Sequence, residues 1–130
     1  NAIEPGKRML SSMTPAILEK NGKLFMVVGA PGGSTIITAV LQTILNVTDF
    51  GMSIEEAVKA PRFHHQWLPD EIRVEKKAID TLVRKELWDM GHHLRGVNRM
   101  AVIKAIEVLP DGTLSGAGDF RNPDDHAEGY

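Results

Sequence analysis

One junction constrains this chain more than any other part of it. Residues 24–28 are apolar and read as a strand, and they run straight into Gly29-Ala30-Pro31-Gly32-Gly33-Ser34. Beyond the glycines, Ile36, Ile37, Val40, Leu41, Ile44 and Leu45 fall on one helical stripe. Ser34 stands where an N-cap is expected and Gly51 where a C′ stop is expected, so the helix should end near Phe50. Just upstream, residues 16–20 form a second strand candidate. Asn21-Gly22 between the two is a strong hairpin signal.

The rest of the chain continues that beginning. Residues 1–15 carry Pro5, Gly6 and Pro15 and read as an extended loop. Ser53-Ile54-Glu55-Glu56 is a capping box, which predicts a short helix to about Ala60, ended by Pro61. Residues 61–70 read as a loop rich in aromatic and imidazole groups. Residues 72–75 alternate like a strand, and Ile79, Leu82, Val83, Leu87 and Met90 have helical spacing closed by Gly91. Residues 102–109 read as a strand, Pro110-Asp111-Gly112 as a turn, and residues 113–117 as another strand, before a polar tail from Asp119. A hairpin, then helices, then more strands points to an α+β fold in one domain, residues 1–130.

Composition narrows the chemistry. An apolar content of 42% allows a real core. The formal net charge of −2, with lysines and arginines scattered, gives no footprint for nucleic acid. Without cysteine the chain has no disulfide, no thiolate nucleophile and no Cys-based zinc site. No apolar run approaches the roughly 18 residues of a membrane helix. The opening Asn1-Ala2-Ile3-Glu4-Pro5 is neither a signal peptide nor an initiator, so a processed or truncated chain is expected.

The glycine junction is the best candidate for chemistry. Glycines allow close backbone approach to a ligand, and free N–H groups at a helix start favour negative charge. Such a turn can hold a phosphate, a carboxylate or a developing oxyanion, or it can be a plain tight turn before a capped helix. It is not a Walker loop, because the Gly-Lys-Ser/Thr ending is absent. Ser11-Ser12 can hydrogen-bond a carboxylate or be ordinary loop serines, and no G-x-S-x-G elbow surrounds them. His64-His65 and His92-His93 lack metal-site spacing, so no metal is expected and structural or surface histidines are the better reading. Asp124-Asp125 and Glu55-Glu56 read as solvated or capping charges. The chain thus offers an anion-binding turn and hydroxyls, but no nucleophile paired with a base.

Four blocks add a resemblance. Lys7-Arg8-Met9-Leu10-Ser11-Ser12-Met13-Thr14-Pro15, Gly29-Ala30-Pro31-Gly32-Gly33-Ser34, the segment from Ala60-Pro61-Arg62 to Pro69-Asp70-Glu71, and Gly118-Asp119-Phe120-Arg121 resemble, in order, segments of the γ-glutamyltransferases (glutathione hydrolases). The resemblance implies a four-layer αββα sandwich of the N-terminal nucleophile hydrolase type, cut by itself from a precursor into a large and a small subunit. This chain would be the C-terminal portion of the small subunit. An N-terminal Thr would attack a γ-glutamyl amide and pass the acyl group to water or an amine. That Thr has no match here, and Thr14 and Thr35 are internal.

Carried over residue by residue, Gly32 and Gly33 would supply oxyanion-hole amides, and Ser11 and Ser12 would bind the substrate α-carboxylate. The implied partners are the large subunit, the missing N-terminal segment of the small subunit, glutathione and acceptor amines or peptides. No cofactor is implied, and the implied location is periplasmic or extracellular. Three positions depart from the pattern: Thr35 stands for a usual Arg, Met9 for a common Pro and Phe120 for Pro. The alternatives are a related acylase of the cephalosporin acylase type, or an inactive anion-binding module.

Overall fold

The computed structural model describes residues 2–129; the expected loop start at Asn1 lies outside them. Strands β1 (Ala16–Lys20) and β2 (Lys23–Gly29) form the expected hairpin, paired from Ala16↔Val28 to Lys20↔Lys23. Asn21 and Gly22 take φ of 55° and 72°, the two positive values that a type I′ turn demands. After β2 the chain makes a single 3-10 turn (Gly33–Thr35) and enters α1 (Ile36–Thr48). α2 (Ile54–Lys59) follows, opened by the predicted capping box. Then come β3 (Phe63–His64), β4 (Ile72–Glu75), α3 (Thr81–Asp89), β5 (Leu94–Val97), β6 (Lys104–Val108) and β7 (Leu114–Ala117).

The strands form two sheets. One is antiparallel throughout, in the order β1-β2-β6-β7. The other has the order β3-β4-β5, with β3 antiparallel and β5 parallel to β4. α1 and α2 cover one face of the larger sheet. Met26, Val28 and Ala105 of that face pack with Ile36, Ala39, Val40, Ile54 and Val58 as the core. The opposite face is bare. Ile17, Val27 and Ile106, paired across three strands, form an exposed apolar row at 73%, 42% and 47% exposure.

The structure is α+β, as the sequence implies, with four differences of detail. β3 lies in a segment expected to be loop, and β5 is a strand that the sequence pattern did not signal. β6 begins at Lys104 rather than at residue 102, because the preceding amides are used elsewhere. Those of Met100 and Ile103 donate to the Glu75 and Asp119 carboxylates, and that of Val102 to the Pro31 carbonyl. α1 begins at Ile36, and no side chain, Ser34 included, caps it. Thr35 closes the 3-10 turn instead, with its amide and hydroxyl both on the Gly32 carbonyl.

Candidate active site

β2, an inner strand, delivers the chain to one end of its sheet, and Gly32 and Gly33 then turn it with φ of 150° and 61°. Only glycine fits at Gly32: a Cβ built there would lie 2.6 Å from the Ala101 Cα and 2.7 Å from its Cβ. At Gly33 nothing lies within 4 Å of such a Cβ, so its constraint is conformational alone. Gly32, Gly33 and Ser34 are exposed, and their amides have no hydrogen-bond partner among the described residues. Open amides at the start of a 13-residue helix suit a negative charge.

The Ser11-Ser12 segment lies at the same end of the sheet. It leads into β1, whose Ala16 pairs with Val28, and Pro15 is in van der Waals reach of Gly29. Ser11 Oγ accepts from the Met13 amide at 3.3 Å, and the Ser12 carbonyl accepts from Thr14 Oγ1 at 3.0 Å. The Ser12 hydroxyl has no partner among the described residues. A cavity of about 360 Å³ opens on the other side of the turn, lined by Pro31, Gly32, Arg99, Ala101, Val102 and Asn122. A larger one of about 700 Å³ lies at the far end of the sheet by the hairpin turn, lined by residues that include Lys20, Asn21, Lys23 and Gly51.

Behind the turn sits a buried quartet of charges. Arg62, Glu75, Asp119 and Arg121 are each at most 5% exposed. Arg62 bonds Asp119 at 3.0 Å, Arg121 bonds Asp119 at 3.0 Å, and Arg121 also pairs with Glu75. Two positive and two negative charges cancel. The spare donors go to the carbonyls of Val58, Ala60 and Met100. No buried side-chain polar atom is left unpaired among the described residues. Burial works to raise the Glu75 and Asp119 carboxyls. The Arg121 hydrogen bonds outweigh it at Glu75, and the Ile103 amide with the Arg62 charge outweighs it at Asp119, so both lie below the ordinary carboxylate range. Burial and the neighbouring Arg121 charge lower Arg62, whereas at Arg121 the two carboxylates overcome burial and raise it.

The quartet reaches the turn through residues 100–103. Glu75 accepts the Met100 amide at 2.7 Å and Asp119 the Ile103 amide at 2.8 Å. Between them Ala101, 8% exposed, is held at φ 47° against Gly32. That conformation costs an alanine about 1–2 kcal/mol, so the surroundings must enforce it.

A family profile described as gamma-glutamyltranspeptidase matches residues 1–129. The chain belongs to that family. It is 52% identical to the glutathione hydrolase proenzyme of Escherichia coli (strain K12), over 100% of this chain and 22% of that relative. It also superposes on a mutant of Helicobacter pylori gamma-glutamyltranspeptidase with a TM-score of 0.87 and 53% identity, over 94% of this chain and 67% of that one. The acylase ACY 1 proenzyme of Pseudomonas sp. (strain V22) is 39% identical over 92% of this chain and 21% of its own length. The chain therefore spans about a fifth of the curated relatives it matches.

Within this gamma-glutamyltranspeptidase chain, Gly32 and Gly33 share one turn, and Ser11 and Ser12 share its end of the sheet without bonding to it. Thr35 is buried with its hydroxyl 2.8 Å from the Gly32 carbonyl. Met9 is exposed, and Phe120 is exposed beneath the Arg121 guanidinium. His64 is buried between Thr38 at 2.8 Å and Gln66 at 2.9 Å, a structural histidine. Asp125 is not a solvated charge: its carboxylate accepts the Asp119 amide and pairs with Lys104. Sequence reasoning missed the quartet and Ala101. The available signal was the charged residues Arg62, Asp119 and Arg121, which sit inside two of the four family blocks.

Proposed function

We propose that this chain is the C-terminal portion of the small subunit of a γ-glutamyltransferase, which in the complete protein hydrolyses glutathione and other γ-glutamyl amides and transfers the γ-glutamyl group to amines. The observation that carries the reading is the uncapped start of α1, preceded by Gly32 and Gly33, exposed residues whose amides have no partner among the described residues. A threonine hydroxyl supplied from outside this chain attacks the γ-carbonyl carbon, and the carbonyl oxygen gains negative charge. The two glycine amides receive that charge, each donor of this kind lowering the barrier by about 2.7–4 kcal/mol. The carbon–nitrogen bond then breaks, the amine leaves, and water or an acceptor amine takes the acyl group. Ser11 and Ser12 bind the α-carboxylate that every free γ-glutamyl group carries.

The bare row Ile17–Val27–Ile106 supports the four-layer reading: the chain supplies one helix layer and one sheet, and a second sheet covers the row. The large subunit and the rest of the small subunit are the partners that provide it. A periplasmic or extracellular location goes with this reading. Among the described residues no helix is long and apolar enough to cross a membrane.

The test is release of p-nitroaniline from γ-glutamyl-p-nitroanilide by the complete gene product, with and without glycylglycine. Release that rises with the acceptor is expected. An inactive but correctly cleaved protein would move the assignment to the related acylases. In the Ser11→Ala/Ser12→Ala double variant KM should rise, and unchanged kinetics would remove the serines from substrate binding.

A further inference from the structure

The geometry points to Thr35 as a positioning residue that aims one of the two oxyanion amides, in concert with the quartet-pinned segment 100–103, which aims the other. The inference rests on the proposed role of Gly32 and Gly33 and says what orients them.

A trans peptide is planar, so its C=O and the following N–H point in opposite directions. Fixing one fixes the other. The Gly33 amide shares a peptide with the Gly32 carbonyl, and that carbonyl accepts two bonds from Thr35: its Oγ1 at 2.8 Å and its amide at 3.3 Å. The Gly32 amide shares a peptide with the Pro31 carbonyl, which accepts the Val102 amide at 3.0 Å. Both carbonyls are thus held from behind, leaving both amides facing outward from their peptides. Glycine alone would let either peptide flip.

The two anchors differ in kind. Val102 is one residue from Ala101, whose backbone presses on Gly32, and the flanking amides of Met100 and Ile103 are gripped by Glu75 and Asp119. This anchor is backbone held by a buried network. Thr35 is a single buried hydroxyl within the turn itself. Its bond to the Gly32 carbonyl stays within the turn and tightens the peptide whose amide faces the ligand. Thr35 touches no substrate.

The experiment uses the complete protein with Thr35→Val, which keeps the shape and removes the hydroxyl, and Thr35→Ser, which keeps the hydroxyl. For γ-glutamyl-p-nitroanilide, Thr35→Val should lower kcat about 10-fold, less than the 10²–10³ lost with a whole oxyanion donor. KM should stay within about twofold, and Thr35→Ser should restore kcat to within about twofold, the pattern of a group that acts only in the transition state. Amide hydrogen exchange read on a peptide spanning residues 31–36 should quicken in Thr35→Val alone. Wild-type kcat in Thr35→Val, equal losses in the valine and serine variants, or unchanged exchange at residues 31–36 would each overturn the proposal. If the wild-type protein does not turn over γ-glutamyl amides, the functional reading falls, and the exchange measurement still decides whether Thr35 aims the turn.

Discussion

Helices α1 and α2 follow one another on the same sheet face, yet they begin in opposite ways. At α2 the Ser53 hydroxyl accepts the Glu56 amide at 3.3 Å, while the Glu56 carboxylate accepts the Ser53 amide at 2.9 Å and its hydroxyl at 2.8 Å. The cap residue and the third helical residue thus satisfy one another. At α1 no side chain caps the helix, and the hydroxyl that could do so, on Thr35, faces back to Gly32. Length explains why both survive. A six-residue helix has little cooperativity and needs its caps, whereas 13 residues with Ile36, Ala39, Val40, Thr43 and Val47 buried are held by packing. The capped start satisfies itself locally, while the uncapped one leaves the Gly32 and Gly33 amides without partners among the described residues and is shaped from a distance.

That contrast is broken most forcefully at Glu75, because a start shaped from a distance should fail when its remote anchor fails. Glu75→Gln removes one charge from a buried, balanced quartet and weakens the grip on the Met100 amide. Breaking such a pair costs about 3–5 kcal/mol. A large drop in Tm of the complete protein is expected, with exchange quickened more at residues 31–36 than at the first turn of α2. The pH dependence follows from the lowered carboxyls at Glu75 and Asp119. Their contribution is fully present above the ordinary carboxylate range, near pH 4, and is lost as pH falls through their lower folded-state values. The Tm gap between the wild-type protein and Glu75→Gln should therefore be constant from pH 7 to 5 and shrink below about pH 4. A constant gap down to the most acid point would mean that the quartet does not anchor through its charge.

Within the open start the two glycines should rank clearly. Gly32→Ala places a methyl 2.6 Å from the Ala101 backbone at φ 150°, so the turn must move. A loss of about 100-fold or more in kcat is expected, the scale of a displaced oxyanion donor. Gly33→Ala meets nothing within 4 Å and bears only the strain of φ 61°. That costs about 1–2 kcal/mol of stability, read as a lower Tm, with kcat falling far less than in Gly32→Ala. The reverse order would mean that the Ala101 contact does not set the turn.

How much of this was legible in the sequence depended on how local the cause was. The Asn21-Gly22 hairpin and the Ser53–Glu56 box are each set by neighbours a few residues apart, and each appeared where the pattern placed it; α1 also formed, but its buried face is Ile36, Ala39, Val40, Thr43 and Val47, and Ile37, Leu41 and Leu45 of the expected stripe are exposed. β3 has two residues and β5 has four, too short for periodicity to register, and both exist through pairing with β4. The late start of β6 at Lys104 could not be read, because Glu75, Asp119 and Pro31 claim its preceding amides from elsewhere in the chain. The glycine turn was legible as a candidate through its residue types. What fixes it was not, since Ala101 is an unremarkable letter in the sequence and its positive φ is imposed by tertiary structure. The tail from Asp119, polar by composition, proved to include two of the most buried charged groups in the fold.

The smallest effect sharpens the comparison from its closed side. Ser53→Ala deletes one half of the capping box and leaves the Glu56 amide without its acceptor. A cap of this kind is worth about 1 kcal/mol. The complete protein should show a small fall in Tm and faster exchange confined to the first turn of α2. Its kcat and KM for γ-glutamyl-p-nitroanilide should match the wild-type values, because the quartet takes only the Val58 carbonyl from that helix and the Ala60 carbonyl just after it. A fall in kcat without a fall in Tm would mean that the two helix starts are coupled. The division of labour between a closed, structural start and an open, chemical one would then have to be abandoned.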